Sequence, residues 1–311
     1  MNDRSRWIAL VVLCTGMLMI VLDMTIVNVA LPTIQADLGF SQAGLAWVVN
    51  AYLIAFAGLL LLAGRLGDLA GRRNVFLTGL AIFTAASLAC GLAVNQEMLI
   101  VARFAQGTGG ALTSAVILGM IVTMFPGPRE QAQAIGVFAF VASAGAAIGL
   151  LAGGILTQAL NWHWIFFVNV PLGLAAAVAG FSVLAETPGL GLRAGADGLG
   201  AVLVTGGLMT GVYTIVETTS YGWGALRTVA GFVVAAVLLG LFVVRQALAR
   251  TPLLPLRLLR PRNVWGANVV QLLTVAAAFG FQVLIPQYMQ RVLGYGAAAA
   301  GVAMLPAAVV I

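Results

Sequence analysis

Nine stretches of about twenty predominantly apolar residues, parted by short polar turns, leave this chain few ways to fold. A helix rising 1.5 Å per residue needs about 20 such residues to cross the ~30 Å hydrocarbon core of a bilayer. The segments run over 7–31, 44–63, 75–94, 98–125, 131–160, 164–185, 199–216, 226–244 and 264–288. A tenth opens near Ala297 and is cut at Ile311. Composition agrees: 62% of the residues are hydrophobic and 8% charged, against about 25% charged in a soluble domain. The 38 glycines suit a bundle in which small residues let helices approach closely. The expected class is an all-α polytopic membrane protein.

The arginines test the count of spans, because one missed or invented helix would scramble their alternation. With the N-terminus in the cytoplasm, Arg4, Arg6, Arg65, Arg72, Arg73, Arg129, Arg193, Arg245, Arg250, Arg257, Arg260 and Arg262 fall inside. Only Arg227 and Arg291 fall outside, and Arg103 lies within a span. This is the positive-inside pattern, and it explains the net charge of +6 without a nucleic-acid partner. A secretory leader is disfavoured because no small-residue cleavage site follows Arg4 and Arg6, and the apolar run continues to Pro32. The inside loop 245–262 holds five Arg and three Pro. It reads as a linker along an anionic leaflet and marks a boundary between two bundles.

Charges within spans need a reason, since each costs about 2.5–3.5 kcal/mol at a helix centre. Asp23 sits eight residues before the outer end of the first span, about 12 Å deep. Arg103 sits five residues into the fourth from the same side, about 8 Å deep. On the fourth helix Arg103, Gln106, Gly107, Gly110 and Ser114 share an arc of about 80°, so the Arg and Gln are expected to project into whatever cavity that face lines. The bland reading is that Arg103 snorkels to the interface and Asp23 bonds a neighbouring helix. Asn28, about 140° round from Asp23, is expected to bond a neighbouring helix in packing. On the ninth helix Asn268, Gln271, Thr274 and Gln282 share an arc of about 120°. That face is either a cavity lining or a seam of interhelical hydrogen bonds. Gly145, Gly149 and Gly153 form a small-residue ridge on the fifth helix, as at close helix crossings.

No cofactor or metal is implied. Cys14 and Cys90 lie within apolar segments, without ligand spacing, as small buried hydrophobes. The single His163 stands in an Asn-Trp-His-Trp turn, where an interfacial role among aromatics is expected. A membrane-embedded enzyme would need convergent nucleophile, base or metal residues, and the sequence offers none.

Four motifs give the chain a family resemblance. Residues 22–32 read LDMTIVNVALP, 64–73 read GRLGDLAGRR, and 103–111 read RFAQGTGGA. The fifth helix spaces Gly136, Gly145, Gly149, Gly153 and Gly154 in an antiporter-like pattern. In these the chain resembles the major facilitator superfamily, and within it the fourteen-helix drug:proton antiporters. Two positions depart from the family pattern: Leu150 stands where Pro usually follows the third glycine, and Leu69 replaces a frequent Arg.

The resemblance implies a six-helix N-terminal bundle over 1–185, two inserted helices over 186–244, a basic linker over 245–262, and the beginning of a C-terminal bundle over 263–311. It implies proton-coupled export of small hydrophobic or cationic drugs from the plasma membrane by a monomer. Asp23, Arg103 and Gln106 would handle the proton. Gly64, Asp68, Gly71, Arg72 and Arg73 would form a cytoplasmic gate, pairing with helix ends and charges of the other bundle. Gly145, Gly149, Gly153 and Gly154 would form the antiporter helix, with Asn268, Gln271 and Gln282 lining the cavity. Export of an endogenous metabolite, lipid or siderophore, or a non-transporting sensor of the same fold, are the alternatives. These 311 residues expressed alone are expected not to alternate access.

Overall fold

The protein is described here by a computed structural model covering residues 3–186, 188–191, 197–249, 252–295 and 303. Side chains at 42, 43, 150, 258, 259, 278, 279, 282, 283, 286, 287, 290 and 291 fall outside that description, as do Arg193, Arg250 and the tenth apolar segment but for Ala303. Among the described residues the structure is helical, without strands. Contacts divide it into two units, 1–253 and 254–311.

In the first unit the helices are α1 (Asp3–Leu38), α2 (Gln42–Ala70), α3 (Arg72–Gly91), α4 (Gln96–Met124), α5 (Pro128–Ala159), α6 (Trp164–Phe167), α7 (Asn169–Val183), α8 (Gly198–Tyr221) and α9 (Leu226–Leu248). Among the described residues eight helical stretches are long and apolar enough to cross a membrane, with α6 and α7 counted as one. Each covers one of the first eight expected spans. The sixth is interrupted at Val168 because Pro171, lacking an N–H, cannot bond back to the Phe167 carbonyl.

Local signals set the helix ends. Ser41 and Asn95 cap α2 and α4 by accepting from the backbone N–H of Gly44 and Met98. Pro128 opens α5, where a missing N–H costs nothing. Gly71 alone separates α2 from α3, at φ +90°, a conformation that favours glycine.

Contacts at the helix ends fix the up-and-down order. Trp7, early in α1, packs on Phe125 past the end of α4, ring centroids 5.2 Å apart, and Arg6 meets Glu130 at the start of α5 at 3.2 Å. At the opposite end Gln96 donates to the carbonyls of Leu38 and Gly39, both at 3.0 Å, and Trp162 donates to Asp37 at 2.9 Å. His163 bonds the Gly91 carbonyl at 2.9 Å and stacks on Trp162, as an aromatic interface residue would.

Close seams hold the bundle. A Cβ at Gly107 of α4 would strike the Tyr52 carbonyl of α2, and one at Gly79 of α3 would lie 2.6 Å from the Thr113 nitrogen of α4. The α8–α9 hairpin packs on the bundle through α2, where Met209 fills the space beside Gly58 and Trp47 meets Tyr213. In the second unit α10 (Arg262–Arg291) follows a short 3-10 turn (Leu256–Leu259) and covers the ninth expected span.

Candidate functional site, a buried charge network

Asp23 and Arg103 meet in the interior of the first unit. Arg103 Nη1 lies 2.5 Å from Asp23 Oδ2, and their side chains are 1% and 0% exposed. Fixed donors and acceptors surround the pair. Gln106 Nε2 donates to Asp23 Oδ1 at 2.7 Å and to Ser87 Oγ at 2.8 Å, while Gln106 Oε1 accepts from Arg103 Nη1 at 2.8 Å. Arg103 Nε donates to the Val48 carbonyl of α2 at 2.9 Å. The Cys90 thiol lies 3.6 Å from Gln106 Oε1.

Four helices therefore contribute: α1 the carboxylate, α2 a carbonyl, α3 the Ser87 hydroxyl and Cys90 thiol, and α4 the cation and amide. Aromatic faces close the cluster, with the Arg103 guanidinium 4.5 Å from the Tyr52 ring centroid and 5.8 Å from that of Phe166. A cation over a ring face gains electrostatic attraction where water is excluded. A buried pair offsets its desolvation only with good geometry and further hydrogen bonds, and here both are present.

Two glycine sets make this cluster possible. Gly107 lets α4 touch the α2 backbone at Tyr52, one residue after the Gln106 amide enters the network. On α5, Gly145 meets Leu18 and Val21, Gly149 meets Leu22 and Thr25, and Gly153 meets Ile26. The ridge is therefore a parallel seam seating the stretch of α1 that carries Asp23. Gly154 and Gly136 face open space and take no part in that seam.

Two expectations and one alternative reading need correction. Arg103 and Gln106 do not project into a cavity; the network is sealed among helices, because the small residues of α4 draw α2 and α3 against it. Neither does Arg103 snorkel. Asn28 does not bond a neighbour: it is exposed and donates to the Met24 carbonyl of its own helix at 3.0 Å.

The 64–73 motif lies at the basic end, and its described partners belong to the first unit. Arg72 bonds Asp68 at 3.3 Å and the Gly119 carbonyl of α4 at 3.0 Å. Arg73 bonds Glu186 at 2.8 Å and the Phe181 carbonyl in the last turn of α7 at 2.7 Å. The backbone N–H groups of Leu190 and Gly191 donate to the carbonyls of Asp68 and Leu69, so the segment after α7 is strapped across the α2–α3 turn. A Cβ at Gly64 would meet open space.

A second acid–base cluster escaped the sequence reading. Asp197, 4% exposed, caps α8 by accepting from Gly200 N–H at 3.0 Å, and also accepts from Arg245 at 3.0 Å and Gln246 at 2.9 Å. It clamps the start of α8 to the end of α9. Burial pushes the Asp197 carboxyl up, but the bonds from Gly200, Arg245 and Gln246 outweigh it and hold the carboxyl below its usual range.

Between α2, α4 and α8 lies a groove of about 450 Å³ lined by Trp47, Ile54, Val101, Phe104, Met209 and Tyr213. On α10, Asn268 and Gln271 are exposed, and Asn268 donates to the Val264 carbonyl of its own helix at 2.8 Å. The Gln282 side chain lies outside the described residues. Among the described residues no cluster of His, Cys, Asp and Glu could hold a metal.

A polytopic helical bundle with a sealed intramembrane ion pair is the class of protein these observations define. The chain belongs to the Major Facilitator Superfamily, whose family model matches residues 13–311. It is 40% identical over 304 residues to a puromycin resistance protein of Streptomyces alboniger, covering 98% of this chain and 60% of that protein. A cephamycin export protein of Amycolatopsis lactamdurans is 41% identical, covering 97% and 63%. A tetracenomycin C resistance and export protein of Streptomyces glaucescens is 38% identical, covering 97% and 56%. The chain thus spans about three-fifths of the length of the curated relatives it matches. Its fold resembles that of the POT family transporter PepTSo, with TM-score 0.57 at 17% identity over 85% of this chain and 56% of that one.

Proposed function

We propose that the protein is a proton-coupled exporter of small hydrophobic or cationic molecules, working in the plasma membrane as a monomer with its N-terminus in the cytoplasm. The observation that carries this reading is the sealed Asp23–Arg103–Gln106 network. The names of the relatives, which concern antibiotic resistance and export, support a transporter rather than an enzyme and favour small organic substrates.

In this reading residues 1–185 form one bundle, α8 and α9 the inserted pair, and the region from 263 opens the second bundle of a fourteen-helix transporter. The bundles rock about a site near the midplane. Asp23 takes and releases the coupling proton. With the carboxylate ionised, Arg103 and Gln106 bind it and lock α1 to α4. Protonation removes the charge that Arg103 faces, weakens that lock and leaves the cation to its carbonyl and aromatic contacts. Movement of α1 against α4 then becomes possible, and it couples the proton to access. Asp68, Arg72 and Arg73 hold the basic end closed in one state and release it in the other.

The direct test is efflux of a fluorescent lipophilic cation from vesicles containing the full-length protein. An imposed pH gradient should drive it, and a protonophore should stop it. Efflux indifferent to collapse of the gradient would overturn proton coupling.

A further inference from the structure

Asn169 is wholly buried at the first residue of α7, yet neither its amide nitrogen nor its carbonyl oxygen has a hydrogen-bond partner. Among the described residues it is the only side chain with two separate polar atoms so left. Buried polar groups find partners in protein or ordered water almost without exception, so an orphaned amide calls for an explanation.

Its position follows from the packing register. On α7, Gly180 sits against Leu77 of α3 and Val12 of α1; Gly173 sits against Thr84 of α3 and Met19 of α1. Seven residues back along α7 thus move the contact seven residues forward on both partners, as antiparallel helices require. The same register, carried one turn further back, puts Asn169 at the level of Asp23 on α1 and of Ser87–Leu88 on α3. Phe166, three residues earlier on the same span, already faces the Arg103 guanidinium at 5.8 Å.

The groups at that level have complementary unused capacity. Ser87 Oγ accepts from Gln106, and its own hydroxyl proton has no acceptor among the described residues. Asp23 receives one bond at each oxygen and retains a lone pair on each. Asn169 offers an N–H and a carbonyl. A single water can accept from Ser87 and from the Asn169 amide while donating to Asp23 and to the Asn169 carbonyl or a second acceptor. That matches the two to four bonds that buried waters make.

We propose that Asn169 holds a buried water against the Asp23 carboxylate, making the sixth span a member of the network that handles the coupling proton. This rests on the proton-coupling reading of Asp23. Asn169 is a positioning residue: it acts on Asp23 through the water and touches no substrate.

Two measurements on the full-length protein test it. A structure that resolves ordered waters should show one within about 3.2 Å of Asn169 and of Asp23, and Asn169→Leu should remove it. A dry site in the wild type overturns the proposal. In proteoliposomes, Asn169→Leu should lower gradient-driven transport about tenfold and move its pH profile by about one unit, while Asn169→Ser, which retains a polar group and room for water, should recover most of the rate. An Asn169→Leu profile that overlays the wild type overturns the proposal as well. Asp23→Asn, run in parallel, separates the failures. If it stays coupled, the proton reading itself falls. If it uncouples while Asn169→Leu behaves as wild type, only the Asn169 inference falls.

Discussion

Two aspartate–arginine pairs in this bundle share the same two side chains and differ in their surroundings. Asp23–Arg103 is sealed at 2.5 Å with both side chains essentially unexposed, whereas Asp68–Arg72 pairs at 3.3 Å with side chains 45% and 33% exposed. In the first, both carboxylate oxygens and two of the three guanidinium nitrogens bond fixed neighbours, so loss of one partner strands the other in a medium that cannot solvate it. In the second, water replaces a lost partner at little cost. A charge that must be given up and recovered during a cycle is consequential only where its surroundings notice the change. The buried pair therefore suits proton coupling, and the exposed pair suits a contact made and broken between states.

Breaking the comparison at its strong end gives the largest effect. Arg103→Ala should destabilise the protein by about 3–5 kcal/mol, read as thermal unfolding in detergent. Removing both partners, in Asp23→Ala with Arg103→Ala, should cost less than the sum of the single changes. Additive losses would show that the two charges do not depend on one another. Next comes the seam that allows the network to close. Gly107→Ala places a methyl against the Tyr52 carbonyl and should cost about 1–3 kcal/mol in the same assay.

Asp197 stands between the two extremes, a buried carboxylate whose Arg245 partner is 42% exposed. Asp197→Ala removes a helix cap and should cost about 1–2 kcal/mol. Its pH signature has a definite sign. The unfolded carboxyl titrates near about 3.9 and the folded one lower, so its stabilisation is full above the unfolded value and is lost as pH falls through the folded one. The wild type should thus lose stability in that acid window more steeply than Asp197→Asn. Equal slopes would contradict the clamp. Smallest is Asp68→Asn, expected to change stability by less than about 1 kcal/mol while slowing transport. A large loss of stability there would erase the distinction between the two pairs.

How much of this was legible in the sequence varied with the kind of signal. Length and apolarity placed the first eight spans because each helix must satisfy its own backbone in lipid. Asp23 and Arg103 stood out because charges in spans are rare, and their matched depth anticipated their meeting. The depth argument gave no azimuth relative to neighbours, so side chains expected to project into a cavity proved to lie in a sealed cluster. Ser87, Cys90 and Tyr52 are common residues within apolar helices, and only the tertiary register brings them to the pair. Asp197 carries no signal of its role, since nothing local announces that Arg245 and Gln246 arrive from 48 and 49 residues away. Asn28 was misassigned for a related reason: its own Met24 carbonyl satisfied it before any neighbouring helix could.

The most direct test of the central claim is substrate-driven proton flux in vesicles of the full-length protein carrying the single change Asp23→Asn. The account predicts that substrate addition no longer moves protons while the protein remains folded in the membrane. Wild-type proton flux in Asp23→Asn would contradict it, and the sealed network would then be a packing element alone.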